Sequence, residues 1–133
     1  MKLLFLSICI SLSFVYSSTS QTNALKSSMD RGEAIYSDFC VSCHLPTGEG
    51  IPKVFPPLAK SDFLIKNRIA SIHIIKYGTS GEITVNGIKY NGIMAPLGLT
   101  DDEVADVMNY ITNSWGNKNS KIVTKEEVSK IKK

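Results

Sequence analysis

Residues 40–44 read Cys-Val-Ser-Cys-His, two thiols and an imidazole within five positions. Zinc binding, thiol–disulfide exchange and covalent haem attachment all use such groups. A structural zinc site needs four ligands, usually as two spaced pairs. Here the only other histidine is His73, and no second cysteine pair exists. A thiol-exchange Cys-x-x-Cys follows a strand and opens a helix, whereas this pair comes late in a predicted helix and runs into a Pro/Gly loop. A structural disulfide across two residues would close a tiny loop and add little stability. Haem attachment fits the spacing. Thiols three residues apart on one helical turn can both reach the two haem vinyl groups, and the next residue, His44, then lies under the iron. One covalent haem c, held by Cys40 and Cys43 and ligated by His44, is the expected cofactor.

The second axial ligand must come from elsewhere. Beyond the leader described below, the methionines are Met29, Met94 and Met108. Met29 lies at the opening of the first helical segment, and Met108 falls within an apolar stripe, where core packing explains it. Met94 belongs to no amphipathic period. It is read as lying in a Gly/Pro loop stiffened by Pro96, which makes it the expected sixth ligand. His73 is the rival, but a lone helical histidine is more often a packed or surface residue.

The chain begins Met-Lys, then LLFLSICISLSFVY, fourteen residues without charge, then the polar SSTSQTNA. That is the layout of a signal peptide, 1–20, cleaved after Ser20, with Ala24 the alternative; an uncleaved anchor is the weaker reading. Cys9 leaves with the leader. Residues 21–116 carry eight basic and ten acidic side chains, whereas 117–133 carry six lysines against Glu126 and Glu127. No basic groove interleaved with aromatics suggests nucleic-acid binding.

The elements that must position the ligands follow from periodicity and punctuation. A polar lead-in (21–27) precedes a helix opening near Ser28, with Asp30 and Glu33 in its first turns. Gly32 in its interior points to a close approach by another element. Residues 44–60 hold four prolines and two glycines and are read as loop. Ser61 is an N-cap for a helix continuing through RIASIHIIKY to Gly78, with Ile65, Ile69, Ile72 and Ile75 along one stripe. EITVNGIKYNG is a hairpin about an Asn86-Gly87 type I′ turn. Thr100 and Glu103 form a capping box for a last helix ending at Gly116, with Val104, Val107, Met108, Ile111 and Trp115 on its buried face. Residues 28–116 make one domain, followed by a lysine-rich tail, 117–133.

Over about residues 28–116 the chain resembles the class I c-type cytochromes. DRGEAIYSDFCVSCH is similar to their first helix, GIPKVFPPLAKSDF to their proline loop, and GIMAPLGLTDDEVADVMNYITNSWGN to their methionine loop and last helix. Ala95, where the family often has proline, is a departure. The resemblance implies an all-α cytochrome c-like fold, four to five short helices around the haem with one small hairpin. It implies His44 and Met94 as axial ligands, Pro56 as the carbonyl accepting from His44, and Gly32 and Tyr36 packed against Tyr110. The expected function is an exported, periplasmic monohaem electron carrier rather than an enzyme, without a permanent membrane span, docking weakly on redox partners over less than roughly 1,200 Å². A tightly held cytochrome subunit of a dehydrogenase or reductase, or a ligand-binding haem protein with labile Met94, are the alternatives. Phe55, Leu58, Phe63, Ile72 and Leu97 are expected to wall the haem, and Tyr77, Tyr90, Trp115 and Arg68 are candidates for its propionates.

Overall fold

The computed structural model describes the backbone of residues 2–133 and side chains from residue 21 on, so the leader reading for 1–20 lies outside the described residues. Helix α1 spans Lys2–Phe39 and does not open at Ser28. Residues 21–27 contain neither Pro nor Gly, so nothing interrupts the helix there. Ser28 is buried instead of capping, and its hydroxyl donates to Asp106 at 2.6 Å. After α1 come α2 (Val41–His44), α3 (Asp62–Lys66), α4 (Arg68–Tyr77), β1 (Thr79–Val85), β2 (Ile88–Met94), α5 (Asp101–Ile111) and α6 (Lys125–Lys130). Among the described residues no helix is long and apolar enough to cross a membrane.

The crossing of α1 on α5 organises the core. A Cβ built on Gly32 would sit 2.1 Å from the Asp106 carbonyl oxygen and 2.8 Å from the Tyr110 Cβ, so only glycine permits this approach. Tyr36 packs its ring on Tyr110 and Trp115, with centroids 5.5 and 5.0 Å away. Beside them Ser28, Arg31, Asp106 and Asn109 form a hydrogen-bonded group between the two helices. The Asp106 carboxylate accepts from Arg31 Nε and Nη2 at 2.6 and 2.8 Å.

The capping box at Thr100 is present. The helix it opens stops at Ile111, short of Gly116, because Asn117 folds back and donates its amide to the Ile111 carbonyl at 2.8 Å. Trp115 therefore reaches the aromatic cluster from a turn. The expected second helix is broken at Asn67, whose ψ of 53° is not helical. The expected stripe is split: Ile72 and Ile75 are buried, while Ile65, before the break, and Ile69, in the first turn of α4, face solvent.

Residues 117–133 fold back across α4 and α5. Val123 and Val128 are buried in the common core. Arg68, the first residue of α4, holds Glu127 through two bonds of 2.7 and 2.6 Å and donates to the carbonyls of Lys121 and Ile122. Asn109 exchanges two hydrogen bonds with the Val123 backbone.

Candidate haem site

Helix α1 brings the cysteines into place. It jogs at Cys40 and resumes as α2, with the His44 amide donating to the Cys40 carbonyl at 2.9 Å. Cys40, Cys43 and His44 thus occupy one turn, at i, i+3 and i+4, the offsets that share a helix face. The chain leaves that turn through Leu45 at φ 64°, and Tyr36 holds the exit by donating its hydroxyl to the Leu45 carbonyl at 2.6 Å. Burial of that phenol pushes its pKa well up.

The proline loop then doubles back. Ile51 and Phe55 exchange backbone bonds of 2.8 Å, and Leu58 and Ala59 donate to the Gly48 carbonyl. The result carries the Pro56 carbonyl to 3.0 Å from His44 Nδ1. A proline carbonyl can only accept, so Nδ1 carries the proton and Nε2 keeps a free lone pair. Burial lowers the His44 pKa, only partly opposed by the Pro56 bond, which favours the neutral, ligating form. Cys40 is pushed up to about 11, first by burial and then by Cys43. An exchange-active cysteine needs the opposite shift. Cys40 and Cys43 are not joined to each other, and among the described residues no group of three His, Cys, Asp or Glu could hold a metal ion.

All three motif residues line one cavity of about 280 Å³, and Met94 lines it too. Met94 is the last residue of β2, paired with Thr79, rather than part of a loop. The hairpin is longer than its sequence signal, seven residues in each strand about Asn86 and Gly87, which take the positive φ values of 51° and 77° that a type I′ turn requires. Strand alternation then turns Thr79, Gly81, Ile83 and Val85, with Tyr90, Gly92 and Met94, to the cavity. Gly81 and Gly92 are cross-strand partners, and a Cβ on Gly81 would meet nothing within 4 Å. That pair leaves a side-chain-free strip of wall against which a flat group can lie.

Phe55, Leu58, Phe63 and Leu97 line the cavity as expected, and Ile72 does not. The wall of α4 is Ser71, Ile74 and Ile75, while Ile72 packs in the core against α5. Ser71 holds the only buried side-chain polar atom without a partner among the described residues. Of the four propionate candidates only Tyr90 reaches the cavity. Arg68 and Tyr77 are engaged by residues 121–131, and Trp115 packs on Tyr36. His73 meets Tyr77 at a tilt, with ring centroids 5.2 Å apart, and does not line the cavity. The hairpin face is the part that sequence reading missed; its alternating Ile83, Val85 and Tyr90 were the available signal.

The donor set fits haem. Two thiols, an imidazole with its outer nitrogen fixed and a thioether converge on one apolar cavity with a smooth strip of wall. The sequence profile of the family described as Cytochrome c matches residues 29–115. The chain is 42% identical over 110 residues to cytochrome c-552 of Thermus thermophilus, covering 76% of this chain and 83% of that protein. It is 30% identical over 105 residues to the cytochrome c subunit of an alcohol dehydrogenase (quinone) from Gluconacetobacter polyoxogenes, covering 76% of this chain but 22% of that subunit. The cytochrome c subunit of a gluconate 2-dehydrogenase from Pantoea cypripedii is 32% identical, over 77% of this chain and 24% of that subunit.

Proposed function

Because this chain belongs to the cytochrome c family and carries electrons on one covalent haem c, we propose that it is an exported periplasmic shuttle with His44 and Met94 as axial ligands. Haem, when bound, supplies an iron that gains and loses one electron. Cys40 and Cys43 would hold it through two thioethers, and Pro56 would keep the His44 ring from rotating. The Met94 thioether is a soft donor that, bound to that iron, would favour the ferrous state and raise the reduction potential. Phe55, Leu58, Phe63 and Leu97 exclude water from the group they surround. Redox partners would dock weakly and briefly. What carries the reading is the His44 Nδ1 bond to Pro56, which leaves Nε2 free on a residue that shares a cavity with Met94.

The leader at 1–20, with cleavage after Ser20, supports export. The match to dehydrogenase subunits favours a second reading, a cytochrome held permanently in a complex. Stoichiometric co-purification with a dehydrogenase would support it over the free shuttle.

The test of ligation is Met94→Ala. The variant should lose the weak far-red sulfur-to-iron absorption of the oxidised protein, bind carbon monoxide when reduced, and fall in potential. His73→Ala should change none of these. Wild-type protein that binds carbon monoxide readily would refute the assignment and bring forward the reading with labile Met94.

A further inference from the structure

Met94 is presented by a long excursion of the chain. It leaves the core at the end of α4 (Tyr77), runs through β1 and β2, and returns at Asp101, the first residue of α5. The return segment is thinly held. Among the described residues, no backbone hydrogen bond of residues 95–99 is found. At Gly78 the two ends of the excursion touch, because a Cβ there would lie 2.5 Å from the Met94 carbonyl oxygen and 2.9 Å from the Pro96 nitrogen. The position of Met94 thus depends on how firmly the end of α4 is fixed to the start of α5.

Ile72 and Ile75 pack α4 on α5 within the core, and one side chain adds a charged link between the end of α4 and the start of α5. Lys76 Nζ lies 2.7 Å from the Asp101 carboxylate, and the two side chains are only 14% and 28% exposed. The same ammonium donates to the Val128 carbonyl at 3.0 Å, and Tyr77 beside it donates to the Ile131 carbonyl at 3.0 Å. A shielded, charge-assisted bond of this kind is stronger than an exposed ion pair. Nearby, Lys125 and Asp102 are also 2.7 Å apart, but their side chains are 57% and 60% exposed. They form an internal control for an ion pair at the same helix start.

We propose that Lys76 is a positioning residue for Met94: its clasp on Asp101, backed by the α6 segment, closes the base of the excursion and holds the sulfur in place. This rests on Met94 as the axial ligand. Lys76 touches neither the cavity nor Met94, so its effect is to keep the two ends of the excursion together. When they part, residues 95–100 lose their anchor at the start of α5, the Thr79–Met94 end of the ladder frays and the sulfur withdraws.

The test uses reduced holoprotein and carbon monoxide, which can bind only after Met94 leaves. Lys76→Met keeps an unbranched apolar stem one atom shorter and removes the charge. It should raise the rate of carbon monoxide binding about tenfold, the scale expected for one lost charge-assisted hydrogen bond, and weaken the far-red band. Lys76→Arg should restore both, and Lys125→Met should leave both as in wild type. All are measured where circular dichroism shows every variant folded, so general destabilisation does not enter. If Met94→Ala abolishes the band while Lys76→Met behaves as wild type or as Lys125→Met, the clasp is refuted and the ligand stands. If Met94→Ala keeps the band, the ligand assignment falls and the clasp with it.

Discussion

Val128→Ala tests whether the C-terminal segment is part of the folded domain or a solvated appendage. Val128 lies on α6 and is fully buried, packed into the same core as Ile72 and Val104. Shortening it removes two methyl carbons' worth of burial and leaves a small void, for a cost of about 2 kcal/mol. For a domain of this size each kcal/mol lowers Tm by about 4 °C, so the variant should melt roughly 8 °C below wild type. The assay is thermal unfolding of the holoprotein, followed by circular dichroism and by the haem absorption. Lys130, exposed on the same helix, supplies the comparison: Lys130→Ala should change stability by no more than about 0.5 kcal/mol. A Val128→Ala midpoint equal to that of Lys130→Ala would mean that α6 does not pack in solution. The clasp of Lys76 on Asp101 would then lose the backing of the Val128 carbonyl as well.

Gly32→Ala should be among the most damaging single-atom additions, because the new Cβ meets a helix backbone at 2.1 Å and no side chain can move aside. A cost of about 3 kcal/mol is expected, measured by chemical denaturation, with α1 and α5 forced apart. Acid should weaken the hold of the C-terminal segment on α4. Hydrogen bonds from Arg68 keep the Glu127 carboxyl below its ordinary 4.5, so the unfolded chain binds the proton more readily. The stability it contributes is therefore present above pH 4.5 and lost as pH falls through the lower folded value. Glu127→Gln should be less stable at neutral pH and show a flatter acid decline, the two proteins converging at low pH in stability curves from denaturant melts.

The motif and its consequences were legible in the chain because they are local. Cys40, Cys43 and His44 share a helical turn by spacing alone, and the Thr100–Glu103 capping box and the Asn86-Gly87 turn depend on neighbours within three residues. Gly32 announced a helix crossing, since a glycine there has no other use. What sequence could not decide was phase and reach. Asn67 splits the predicted helix in two, and the docking of α4 on α5 puts Ile72 in the core and leaves Ile74 and Ile75 on the cavity wall. Strand pairing carried on past its turn signal to Thr79 and Met94, because backbone ladders extend wherever both chains can remain extended, whatever their side chains. The segment after Asn117 reads as polar and lysine-rich, yet Val123 and Val128 find a core contributed by α4 and α5. Burial there is decided by partners more than ten residues away in the chain. Local spacing specified which atoms could do the chemistry; only the three-dimensional arrangement decided what holds them in place.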